Sequence, residues 1–242
     1  MKAAGPLTPI RLRAAGFLVG LLSIAVWVGS PRPLRASTLC LGILVGSLLI
    51  VLGLFMARRL FESTPILEGA VAGRRAAQCI GGAALLGASL GSLLLSILVF
   101  VLVPLEPALA ARLRSRAAAP AWFPLALATE ASILEEIVFR LFLFTFVVWL
   151  CSRAWRATLP GPRSRCVWSA NVISALAFAA VHLPAWLGTV KPSGPLIGSV
   201  LLLNGVAGLA LGYIYWRWGI ESAITAHFAA DLVVQSLGPR LV

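Results

Sequence analysis

AWFPLALATEASILEEIVFRLFLFTFVVWLC, residues 121–151, is a run long enough to cross a bilayer as a helix, yet Glu135, Glu136 and Arg140 stand in its middle. About 20 mostly apolar residues are needed to span the hydrocarbon core. An ionised side chain at the centre of such a helix costs about 3 kcal/mol. Charges grouped there persist where they pair, face a wet cavity or take part in chemistry. Residues four apart share a helix face, and Glu136 followed by Arg140 has the better orientation for a salt bridge. Glu135, about 100° further round the helix, is left as an unpaired carboxylate facing the bundle interior, where it suits a general base.

The rest of the chain has the same character. Of 242 residues, 60% are apolar and 12% charged, and the mean hydropathy is +0.97, which excludes an ordinary soluble domain. Long apolar runs at 14–30, 36–57, 77–105, 121–151, 166–188, 194–216 and 219–236 are separated by short Arg- and Pro-bearing joints. The predicted fold is all-α: a polytopic transmembrane helical bundle of about seven spans, an eighth crossing being the alternative. Residues 1–119 form the N-terminal helices and linker, 120–236 the core, and 237–242 a short tail. The first run follows Lys2, Arg11 and Arg13 and is read as a span rather than a cleaved leader.

The net charge of +12 does not point to nucleic acid, because the basic residues sit in the joints, where headgroups and the insertion machinery read them. Lys2, Arg11, Arg13, Arg58, Arg59, Arg74, Arg75, Arg153, Arg156, Arg163, Arg165 and Arg217 fall on one side of the bundle. They outnumber Arg32, Arg35, Arg112, Arg114, Arg116, Lys191 and Arg240 on the other, which predicts a cytoplasmic N-terminus. The four cysteines have no CxxC spacing and read as apolar filler. Gly42/Gly46, Gly87/Gly91 and Gly208/Gly212 are small-xxx-small pairs that allow close helix contact. Trp216 and Trp218 flank Arg217 as an interfacial anchor before a tight turn at Gly219. Glu62, Glu68 and Glu106 are expected in solvated joints, Glu130 and Glu221 as interfacial charges, and Asn204 in a helix–helix hydrogen bond.

His182, His227 and Asp231 are the only histidines and the only aspartate, and all fall inside predicted spans. Phe178/His182 and His227/Asp231 repeat the four-residue interval, so each pair shares a face. Pro184 cannot donate to the carbonyl of Ala180, which predicts a kink beside His182. A set of such groups on three helices points to one hydrated site.

Three motifs in order, Glu-Glu-x-x-x-Arg at 135–140, Phe-x-x-x-His at 178–182 and His-x-x-x-Asp at 227–231, resemble those of the CAAX protease and bacteriocin-processing family (CPBP, or Abi). Residues 208–227 also look like that family's last core helices. The resemblance covers about residues 120–236 and implies an intramembrane endopeptidase similar to type II CAAX prenyl endoproteases. It implies that Glu135 activates a water with help from His182, that His227 and Asp231 face the oxyanion, and that Glu136, Arg140 and Phe178 support the site. This chain has Asp231 where those endoproteases place Asn, and an ionised Asp cannot donate to an oxyanion.

The expected reaction is hydrolysis of a peptide bond in a membrane-anchored protein or peptide by a Glu/His-activated water, with no cofactor. Zinc held by Glu135, His182 and His227 is the alternative, although no HExxH is present. Two other functions stay open: a non-proteolytic immunity or scaffold protein of the same fold, and a proton-coupled transporter. The expected partners are the lipid bilayer and a membrane-anchored substrate, with no nucleic acid. An Ala- and Arg-rich chain with little Lys suggests a bacterial cytoplasmic membrane, and nothing in the sequence sets an oligomeric state.

Overall fold

The computed structural model describes residues 8–28, 36–58, 60–154, 164–187 and 191–242, within which every regular element is helical. Lys2, Arg32, Arg35, Arg59, Arg156 and Arg163 of the charge count lie outside the described residues. Helix α1 spans Pro9–Val28, α2 Ala36–Ala57, α3 Gly73–Leu105 and α4 Pro107–Ser115. Helix α5 covers 123–154, α6 Ser164–Val181, α7 Leu183–Leu187 and α8 Gly194–Leu241.

Helices α1, α2, α3, α6 with α7, and α8 are long and apolar enough to cross a membrane. Helix α5 has the length as well, interrupted by its charges. Helix α8 counts twice. Ala207 and Asp231 would stand about 36 Å apart on a straight helix, yet both line one cavity, so α8 folds back on itself. The reversal is at Gly219, whose φ of 83° and ψ of 177° suit a residue without a Cβ. The chain is therefore an integral membrane protein, an all-α bundle with five helices among the described residues long and apolar enough to cross. Leu44, Leu85, Phe100 and Leu176 point outward from it, as lipid-facing residues do.

Several boundaries differ from expectation. Helix α1 begins at Pro9 and α3 at Gly73, each a turn earlier than its apolar run, because arginines in a first turn can snorkel to the headgroups. The joint after α3 is itself a helix: Glu106 accepts from the Ala108 N–H and Pro107 occupies the first turn. Residues 237–241 are no loose tail. They continue α8, and Gly238 and Pro239 are buried beside Leu95 and Leu113.

Small residues set the helix spacing. A Cβ on Gly87 would meet the Ala226 carbonyl at 2.0 Å, and one on Gly91 the Ala230 carbonyl at 2.5 Å. A Cβ on Gly208 would lie 2.8 Å from the Ala175 Cα, and one on Gly212 would lie 2.0 Å from the Asn171 side-chain oxygen. Lipid tails are as apolar as leucine, so helices associate here by close van der Waals contact and hydrogen bonds rather than by hydrophobic burial. The consequence is local: α3 fixes the arm that carries His227 and Asp231, and α8 fixes α6, which carries Phe178 and His182.

The linker 60–72 docks against the turn at Gly219. Ile220 donates its backbone N–H to the Ser63 carbonyl at 2.8 Å, and Pro65 packs on Gly219. The Glu221 carboxylate accepts the N–H groups of Ile66 and Leu67 at 3.0 and 2.8 Å. Glu68 pairs with Arg11 at 2.8 Å and accepts from the Thr64 hydroxyl. Glu68 and Glu221 are thus structural ties, not solvated charges. Glu106 is another, since the Ser193 hydroxyl that caps α8 donates to it. These contacts define two ends of the bundle. The start of α1, the 60–72 linker and Gly219 share one; α4, α7 and the C-terminus share the other, where Arg112 donates to the Ala185 carbonyl at 2.6 Å.

Candidate active site

The site is built at the centre of α5. Helix α5 passes from ordinary α-turns at Phe123–Glu136 into wider π-type turns over Ile137–Phe144, a geometry frequent at functional sites. Hydroxyls take up carbonyls of the widened turns: Ser174 donates to Phe139 at 2.6 Å, and Thr145 donates to Arg140 at 3.2 Å. Glu136 and Arg140 are both fully buried and in contact at 2.9 Å, the pair predicted by their spacing. The Arg140 Nη1 is not aimed along that contact, so the two touch as charges rather than through a linear hydrogen bond. The guanidinium also reaches the Gly208 carbonyl at 3.4 Å and lies 4.4 Å from the centre of the Phe178 ring.

Phe178 is the platform on which the site is assembled. Its ring centre is 4.8 Å from the His182 imidazole and 5.8 Å from that of His227. Helix α6 ends there: the His182 N–H bonds to the Ala179 carbonyl, and the short α7 follows, a break beside Pro184 of the kind expected. His182 Nδ1 lies 2.7 Å from the Phe178 carbonyl. A carbonyl only accepts, so Nδ1 carries the proton and the lone pair of neutral His182 is on Nε2. His227 Nδ1 likewise donates to Glu136 Oε1 at 2.8 Å, turning its Nε2 inward.

Both inward nitrogens face Glu135. His182 Nε2 is 3.7 Å from Glu135 Oε1, and His227 Nε2 is 3.7 Å from Oε2. Asp231 Oδ1 is 3.8 Å from the same His227 nitrogen. These separations exceed a direct hydrogen bond, so a shared partner such as water has room to bridge them. Side-chain exposure separates the roles: Glu135, His182 and Asp231 keep 22%, 27% and 25%, whereas Glu136 and Arg140 keep none. The first three open onto a cavity of about 450 Å³ between α3, α4, α5, α6 and α8. Its walls are mainly apolar, with leucine the commonest residue, and Arg112, Arg116, Trp186 and Gln235 mark the α4 end.

The structure thus brings Glu135, Glu136, Arg140, Phe178, His182, His227 and Asp231 into one cluster. The two imidazoles address different oxygens of Glu135, and among the described residues no three His, Cys, Asp or Glu are arranged to hold an ion. Sequence reasoning missed Glu130, which lines the cavity instead of lying at an interface, and Asn204, which bonds its own helix at the Val200 carbonyl. It also missed Arg116, which donates to Gln235 at 2.6 Å across the cavity wall. The Glu106-Pro107 helix start was the available signal for the last of these.

A helical bundle in the membrane, with two imidazoles closing on a carboxylate at a buried cavity, places the chain among integral membrane proteins with a polar reaction centre. Residues 117–233 match the family described as Type II CAAX prenyl endopeptidase Rce1-like. No curated protein and no solved structure matches the chain.

Proposed function

We propose that the chain is an intramembrane endopeptidase that hydrolyses a peptide bond of a membrane-anchored protein or peptide through a water activated by Glu135 and His182. The observation that carries this reading is the Glu135 carboxylate set 3.7 Å from both inward imidazole nitrogens. Glu135 takes a proton from the water while His182 Nε2 accepts a hydrogen bond from it, and the water oxygen adds to the scissile carbonyl carbon. The carbonyl electrons move onto oxygen, where His227, its Nδ1 held by Glu136, donates from Nε2 to the oxyanion when both ring nitrogens carry a proton. Asp231 faces the same place and donates when it holds a proton. Glu135 then returns its proton to the leaving nitrogen, the C–N bond breaks, and a carboxyl and an amine leave.

Glu136 and Arg140 are positioning residues in this scheme: buried and out of reach of substrate, they hold His227 and Phe178. No step needs a metal. The excess of basic residues in the joints on the N-terminal side supports a cytoplasmic N-terminus, and the Ala- and Arg-rich composition supports a bacterial cytoplasmic membrane. The test is Glu135→Gln in purified protein, which should stay folded and lose peptide cleavage, with wild-type activity surviving exhaustive chelation. Cleavage by a folded Glu135→Gln variant would end the Glu135 mechanism, and loss restored by zinc alone would end the metal-free one.

A further inference from the structure

One carboxylate in the cavity has no part in that scheme. Leu127, Glu130, Ala131, Leu134 and Glu135 form a single face of α5 that lines the cavity. Glu130 and Glu135 occupy the two borders of that face. Glu130 is half-buried, and among the described residues it makes no ion pair or hydrogen bond. A carboxylate left unpaired in a membrane helix is expensive to keep, and such a residue marks a contact with something that passes through. Bonding within the fold does not explain Glu130.

The remaining charges of the cavity are already fixed within the fold. Asp231 lies beside His227, and Arg116 and Arg112 lie beyond Asp231 on α4. Arg112 is fixed by the Ala185 carbonyl and by the Trp186 ring, 4.0 Å from its guanidinium carbon, and Arg116 is fixed by Gln235. Glu130 lies N-terminal to Glu135 on a helix that starts eight residues after α4 ends, so it stands toward the same end of the cavity as the two arginines. Substrate in this cavity meets one unpaired negative charge, at Glu130, beside cations already held by other groups. Glu130 is five residues from Glu135, about 7.5 Å along the axis, which is two to three residues of extended peptide.

Building on the protease reading, we propose that Glu130 is a specificity residue, selecting a lysine or arginine within about three residues of the cleaved bond. An ion pair in this apolar, narrow setting discriminates by attraction to a cation and by the cost of leaving either charge unpaired against a neutral side chain.

The experiment uses the full chain in proteoliposomes and a quenched fluorescent library of apolar peptides. Lysine, norleucine or glutamate is placed at each position within about three residues on either side of the cleaved bond. The expected ratio of kcat/KM for lysine over norleucine is at least about tenfold in the wild type and falls to about one in Glu130→Gln. In Glu130→Lys the preference moves to glutamate. An unchanged lysine-to-norleucine ratio in both variants overturns the inference and leaves the protease reading standing. A wild-type protein that cleaves no member of the library overturns both.

Discussion

His227 and Glu136 meet at 2.8 Å between Nδ1 and Oε1, and the same oxygen lies 2.9 Å from Arg140 on the other side. One buried carboxylate thus answers two cations or potential cations on different helices. Removing it by Glu136→Ala strands Arg140 in the core, where breaking a buried pair costs about 3–5 kcal/mol. The double variant Glu136→Gln with Arg140→Met should recover a large share of that loss, because an apolar replacement leaves no charge to satisfy. Thermal unfolding in detergent reads both, and a Glu136→Ala protein as stable as the wild type would show that the pair carries no such burden.

The approach of α3 to the second arm of α8 predicts a steric effect on chemistry from a residue that touches no reacting group. Gly91→Leu drives a side chain into the Ala230 backbone, one residue before Asp231. Overpacking of this kind costs about 1–3 kcal/mol. Small errors in position at a reactive centre lower kcat steeply, so Gly91→Leu should lose more activity than stability, whereas Gly81→Leu, where nothing lies within 4 Å, should keep both. Equal activity of the two variants would refute the placement of His227 and Asp231 by α3.

How much of this was readable beforehand follows from which forces the sequence encodes locally. Glu136/Arg140, Phe178/His182 and His227/Asp231 were legible because helical periodicity fixes each pair within a few residues. The close contact of Gly87 and Gly91 with Ala226 and Ala230 was legible as a capacity but not as a pairing, since any two small-residue faces can meet. The bond from Glu136 to His227 joins residues 91 positions apart, and no spacing rule relates them. The same holds for Glu221, whose partners are backbone N–H groups of a linker and leave no side-chain pattern to read. Glu130 was misread as interfacial because hydropathy gives depth along a helix, while a cavity depends on what the neighbouring helices leave unfilled.

Asp231 stands beside His227 in the cluster, and its effect should appear in pH dependence. Glu135 Oε2 and Asp231 Oδ1 lie 3.7 and 3.8 Å from the same His227 nitrogen. Three groups so close titrate as a coupled set rather than singly. Asp231→Asn removes one member while keeping the shape and a permanent donor. The acid limb of the kcat/KM profile should therefore move, with cleavage retained. A profile superimposable on the wild type's would mean that Asp231 does not share protons with Glu135.

The side of the membrane on which the cavity lies follows from the two ends of the bundle. Arg11, Arg58, Arg74, Arg75 and Arg217 belong to the end that holds the N-terminus and the Gly219 turn. The cavity reaches the opposite end, where Arg112, Arg116 and Trp186 line it. Cationic residues near span ends are retained in the cytoplasm, so the reactive cluster should be reached from the outer face. In a background with Cys40, Cys79, Cys151 and Cys166 replaced by alanine, Ser115→Cys should react with a membrane-impermeant maleimide in intact cells, and Arg217→Cys only after permeabilisation. The reverse pattern would invert the bundle and put substrate recognition by the cavity in the cytoplasm.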